Sequence, residues 1–212
     1  MRPESANWNG YLEDTIVIDW QMPAIMERSR ALAAGGASDE AKARACYAFV
    51  RDEIAHTADA GLDALACRAS EVLAARTGIG FSKSHLLAAL LRSLGIPAGF
   101  CYQVVRRAAD SSEKLLYGFN GVYLASRERW IALDARGNRA GLDAQFSVDA
   151  PRLAVTPDPA LGEWAYPWIW TRPAPVVVDL LSRNKSLARI AEHVPEELPG
   201  VTRPALEPAS DP

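Results

Sequence analysis

The chain has 212 residues, 49% of them hydrophobic and 23% charged, with 14 glycines and 14 prolines. Such a composition and length fit one globular domain that buries a core without metal or disulfide staples. The 23 basic and 26 acidic residues leave a net charge of −3, which excludes the basic excess of a nucleic-acid binder, and no apolar run reaches the ~18 residues a membrane span needs.

The first seven residues, Met1-Arg-Pro-Glu-Ser-Ala-Asn7, are polar and lack the apolar core of a secretion signal, so a cytoplasmic protein is expected. Three cysteines (Cys46, Cys67, Cys101) without C-x-x-C spacing and three scattered histidines (His56, His85, His193) argue against a disulfide framework and a zinc site. No cofactor or metal is expected.

Thr15-Ile-Val-Ile18 is the first strand-like run. After Pro23 a helical pattern continues to about Ala34 and stops at Gly35-Gly36. Ser38 then offers an N-cap, with Asp39 and Glu40 in the first turn. The helix that follows carries Cys46, Phe49, Val50 and Ile54 on one face and should end near His56. A further helix is predicted from Ser70 to Arg76. Next comes the best-marked element, Ser82 to Leu94, apolar nearly all round and therefore buried on most sides, ended by Gly95-Ile96-Pro97.

From Phe100 the period becomes strand-like, over Phe100–Arg106, Leu115–Leu124 and Arg129–Asp134. Helices followed by consecutive short strands read as α+β with an antiparallel sheet. Trp164, Tyr166, Trp168 and Trp170 form an aromatic group suited to packing a C-terminal extension or walling a cleft. A helix is expected over Val176–Ala191. The expected organisation is one domain over residues 1–193 and an unstructured Pro-rich tail over 194–212.

Several segments carry a resemblance: Cys67-Arg-Ala-Ser-Glu-Val-Leu73, Thr77-Gly-Ile-Gly-Phe-Ser-Lys-Ser-His-Leu-Leu87, Leu90-Leu-Arg-Ser-Leu-Gly-Ile-Pro97, Tyr117-Gly-Phe-Asn-Gly-Val-Tyr-Leu124 and Ala132-Leu-Asp-Ala-Arg-Gly-Asn138. In this order and with short gaps they resemble the bacterial transglutaminase-like family. The resemblance implies a papain-like α+β core, with the buried central helix packed on an antiparallel sheet.

Such families use a Cys nucleophile at the N-terminus of the central helix, a His on the following strands and an Asp that orients it. A helix N-terminus lowers a thiol's pKa, and the His completes its activation. On the resemblance, the Cys position is Gly80, the His position Tyr117, and only the Asp remains, as Asp134. Cys-dependent acyl transfer or proteolysis is therefore not expected.

Ser82 or Ser84 would be a replacement hydroxyl only with a base, and none stands at the family's base position. The candidate catalytic residues are Tyr117, as a hydrogen-bond or proton donor to a developing oxyanion, and Asp134 as its orienter. Gly80, Ser84, His56 and His85 are the candidate substrate-binding residues, with Gly80 leaving room for a ligand. Lys83 and Arg136 flank the site as holders of an anion or as solvated charges. Two readings stay open. One is an enzyme steering a noncovalent step, such as cyclisation, isomerisation or proton transfer, on a small-molecule or carrier-bound substrate. The other is a pseudoenzyme binding a protein partner.

Overall fold

A computed structural model describes residues 1–108, 110–190 and 193–204. In chain order its elements are β1 (Arg2–Pro3), α1 (Pro23–Ala33), α2 (Asp39–Ala48), β2 (Ala55–His56), α3 (Ala69–Ala75), β3 (Thr77–Gly78), α4 (Gly80–Ser93), β4 (Ala98–Arg106), β5 (Lys114–Leu124), β6 (Arg129–Leu133), β7 (Trp164–Ala165), β8 (Trp168–Ile169), α5 (Pro175–Arg183) and α6 (Leu187–Ile190). The architecture is α+β: α1, α2 and α3 pack on α4, which lies against an antiparallel sheet of order β6-β5-β4-β7.

The near-continuous apolar run of α4 has the consequence expected of it: every residue from 81 to 92 is buried. Such a helix must also partner its polar side chains internally, because an unpaired buried polar group costs about 1–3 kcal/mol. Arg92, 2% exposed, does so with backbone carbonyls alone. It donates to Ala98 O at 2.8 and 3.1 Å, to Glu13 O at 2.8 Å and to Thr171 O at 2.6 Å. One guanidinium thus holds the N-terminal segment, the start of β4 and the chain after β8 together.

Several sequence expectations are corrected. Thr15–Ile18 forms no strand: Ile18 N–H donates to Thr15 Oγ1 at 3.0 Å, a local turn that competes with extended pairing. The second helix ends as an α-helix at Ala48 and widens into a π-helical turn, Phe49–Glu53, so His56 lies on β2 beside Gly78 of β3. The single helix expected over residues 176–191 is two, because Lys185 O accepts from Leu65 N–H and Asp63 caps α6 through Leu187 and Ala188 N–H. Its expected last residue, Ala191, lies outside the described residues.

The tail expected to be unstructured over 194–212 is in fact seated on the core as far as it is described. Pro195 O accepts from Leu116 N–H at 2.7 Å, Leu198 N–H donates to the Tyr166 hydroxyl, and Leu198 is buried. Proline content misled here because a Pro-rich segment needs few backbone donors satisfied and can cover an edge cheaply. Residues 205–212 lie outside the described set.

Replacing Arg92 with Met keeps much of the apolar stem and leaves carbonyls from three segments without a donor. The expected loss is about 3 kcal/mol or more of unfolding free energy. Urea denaturation of the variant checks it, and a midpoint equal to the parent's refutes the role.

Candidate functional site

The sheet leaves one edge of β5 unpaired along residues 114–119, where only β4 runs beside it. β6 pairs only with residues 120–124 of β5, and the segment after α6 reaches the open edge at Leu116. Here, between β5, the start of α4 and the C-terminal segments, lies a cavity of about 490 Å³. That volume is in the range of small-molecule sites.

Gly80, the first residue of α4, lines the cavity. A Cβ placed on it would meet only Gly118 O, at 3.8 Å, so the space above it is open. The N-cap, Ile79, supplies no side-chain cap, which leaves the positive end of the helix at the cavity wall. Glycine is required one step away, at position 118, where a Cβ would fall 2.7 Å from Phe81 Cδ1. Only the bare backbone lets β5 approach α4 this closely.

Tyr117 projects from β5 and is half-buried in the cavity wall. Its hydroxyl donates to Asp134 Oδ2 at 2.8 Å. Asp134 follows β6 and is 1% exposed. It also accepts from Ala154 N–H at 2.9 Å and from Arg136 N–H at 3.1 Å. Burial, then the Asp134 charge, pushes the Tyr117 phenol well above its ordinary range, and burial raises the Asp134 carboxyl as well. The phenol is neutral at any physiological pH.

His56 is on the same wall. Its Nδ1 is buried without a hydrogen bond, 3.6 Å from Asp59 Oδ2. Burial and the cationic Arg136 hold His56 at about 4, so the ring is neutral at pH 7. Asp59 meanwhile clamps Arg136 at 2.6 and 3.1 Å and reaches Arg139 Nε at 3.3 Å.

Two expected site residues are elsewhere. Ser84, although one turn after Gly80, gives its hydroxyl to Phe81 O at 2.7 Å and does not line the cavity. His85 points to the opposite side of α4, where Nδ1 donates to Cys67 O at 2.8 Å and the ring meets Phe100 edge-on. Burial holds His85 at about 4. Lys83 is neither solvated nor in the cavity: fully buried, it donates to Ile54 O at 2.6 Å and Arg51 O at 3.3 Å, and burial brings it to about 7.

Tyr166 packs edge-on against both Trp164 and Trp170, and none of the aromatic group lines the cavity. The three cysteines are free and buried, and burial raises each thiol, Cys46 to about 12. Among the described residues no group of three or more His, Cys, Asp or Glu is placed to hold a metal ion, and no helix is long and apolar enough to cross a membrane. Sequence reasoning missed Asp59 and Arg139. Asp59, three residues after His56, was the available signal.

The family model of the transglutaminase-like superfamily matches residues 27–135, just over half of the chain. The chain belongs to the transglutaminase-like superfamily. The matched span runs from α1 to the residue after Asp134, so Arg136, Arg139 and the C-terminal wall of the cavity in this transglutaminase-like chain lie outside it. No curated protein matches the chain.

Among solved structures, a candidate cysteine protease from Cytophaga hutchinsonii is 15% identical, with a TM-score of 0.50 over 62% of this chain and 43% of its own. A candidate protease from Parabacteroides distasonis (10% identical, TM-score 0.40, 71% of this chain and 30% of its own) and a TGase (19% identical, TM-score 0.41, 69% and 37%) are also similar. The chain spans less than half the length of each, and the first likeness speaks for the fold alone.

The neutral histidines couple stability to pH. Both have folded pKa values lowered from 6.5 to about 4, so between those values the unfolded chain binds more protons than the folded one. The histidines' share of the unfolding free energy is therefore full above 6.5 and falls as pH drops toward 4, by up to roughly 3 kcal/mol per histidine. Asp134, raised in the folded state, opposes this with one proton. Urea unfolding at pH 7 and pH 5 should show the loss, and His56→Asn should show a smaller one. Equal stability at the two pH values refutes the neutral assignments.

Proposed function

We propose that this transglutaminase-like chain has lost the family's Cys and His, with Gly80 and Tyr117 in their places, and acts on a small carbonyl- or acyl-bearing molecule without covalent attack. The observation that carries this reading is the open space above Gly80, bounded by Tyr117 with Asp134 behind it. A thiol side chain is absent where the helix N-terminus would activate one, and the three thiols present are buried.

The role of Tyr117 follows from its partner. Complete proton loss would set a phenolate beside the Asp134 carboxylate, so Tyr117 is a poor full proton donor. It is better suited to hydrogen-bond a developing oxyanion, turning its hydrogen from Asp134 to the ligand. Asp134 tolerates that exchange because two backbone N–H groups remain on it. The positive end of α4 favours the same negative charge. This chemistry fits an enolisation, a cyclisation or an isomerisation.

A catalytically silent binding module is the second reading. What favours it is that the Tyr117 hydroxyl is already bonded within the fold.

The test is turnover of a panel of small acyl and carbonyl compounds by the parent, Tyr117→Phe and Gly80→Leu. Tyr117→Phe should lower turnover about a hundredfold or more, the scale of one oxyanion-hole donor, with the fold intact. Gly80→Leu should fill the cavity and abolish binding. Turnover unchanged in Tyr117→Phe refutes the tyrosine's role, and binding without turnover by the parent supports the second reading.

A further inference from the structure

We propose that the cavity above Gly80 takes an anionic amphiphile, its carboxylate- or phosphate-type head held at Arg136 and Arg139 and its apolar body lying toward α6. The proposal rests on reading this cavity as a small-molecule site and names the class of molecule that fits it.

The body is argued from the walls. Val105 and Leu115 come from the sheet, Leu142 from the loop after β6, Leu187 and Ile190 from α6, and Val194 from the segment beyond it. Four separate parts of the chain thus present apolar side chains to one space. Filling it with a hydrocarbon body gains about 25 cal/mol for each Å² removed from water.

The head is argued from the charges. Among the described lining residues four are arginines and none is Asp or Glu. Two of the four are matched at the far end of β4. Arg106 faces Glu163 at 3.6 Å, and Arg107 pairs with Glu113 at 3.0 Å. At the Gly80 end the balance differs: Asp59 forms the salt bridges to both Arg136 and Arg139, with Asp134 beside Arg136 and Lys83 buried behind them.

Arg139 has the looser hold. Its side chain is 55% exposed, and it reaches Asp59 only through Nε at 3.3 Å, with one long bond from Nη1 to Ala140 O at 3.5 Å. A planar guanidinium with donors to spare beside an apolar cavity suits a carboxylate or phosphate oxygen pair. Burial lowers the His56 pKa most, and Arg136, Lys83 and Arg139 lower it further while Asp59 opposes them.

Most of these groups also lie outside the span matched by the family model. Arg136, Arg139, Leu142, Leu187, Ile190 and Val194 all lie beyond residue 135, where the match to the family ends. The matched span supplies the floor and the sheet side of the cavity, and the residues after it supply Arg136, Arg139 and the α6 side.

Calorimetric titration of the full chain at low salt with decanoate, decyl phosphate and decanol tests the proposal. At least one of the two anions should bind about tenfold or more tightly than decanol, and the tighter anion identifies the head. Arg139→Gln should weaken that anion about tenfold and leave decanol unchanged, as expected for one charge-assisted contact. Leu187→Glu should weaken all three. Decanol binding as tightly as both anions, or Arg139→Gln without effect, overturns the charged head while the cavity stands as a small-molecule site. If none of the three binds while the parent turns over a neutral carbonyl compound in a Tyr117-dependent way, this proposal fails and the proposed function survives. Neither binding nor turnover overturns both.

Discussion

A helix buried on every side imposes one demand on the chain around it: each polar side chain it carries must find its partner inside the fold. α4 carries Ser82, Lys83, Ser84, His85 and Arg92; the two serines bond back to Ile79 O and Phe81 O, and the other three reach segments outside the helix. Lys83 fastens the π-helical turn and the residue just before β2, His85 the loop before α3, and Arg92 three separate backbone segments. Asn120 of β5 closes the other side, donating to Ser84 O and Gly99 O at 3.1 Å each. The site inherits its shape from these ties. His56 lies on the cavity wall because Lys83 holds Ile54, two residues earlier.

The helix and the three long strands were legible because their signals are local and strong. A run from Leu86 to Leu91 without a charge, ended by Gly95-Ile96-Pro97, admits few readings, and the alternation after Phe100 marks the sheet. The failures have a common cause. Thr15–Ile18 has strand-like residues but no partner edge, and Thr15 Oγ1 supplies a closer acceptor. The break between α5 and α6 comes from Asp63 and Leu65, more than a hundred residues earlier in the chain. Long-range partners decide such elements, and a local pattern does not contain them.

The site divides in the same way. Gly80, Tyr117 and Asp134, singled out by the order of segments around them, lie close together in the fold, and spacing alone would not have joined residues so far apart. Ser84 and His85 were misplaced by different mechanisms. Helical periodicity puts Ser84 on the face of Gly80, but its hydroxyl turns back onto Phe81 O, as serine hydroxyls within helices do. His85 is one residue further on, which rotates it about 100° away. Lys83 read as a solvated charge because lysine almost never lies fully buried, and nothing in the sequence announces two backbone carbonyls waiting for it.

The cavity's electrostatics follow from the same economy of partners. Asp134 is fully served by Tyr117 and two backbone groups, so it adds a fixed negative charge at the back of the site but no free acceptor. Asp59 is divided between two arginines, and His56, left unbonded at Nδ1, stays neutral. Negative charge is therefore spent in the walls, while the cavity itself is bordered by the end of α4, a phenol and guanidinium groups. The proposed preference for a ligand that brings or develops negative charge rests on this arrangement. At the start of α4 stands Gly80, with no side chain, and the three thiols of the chain are buried elsewhere.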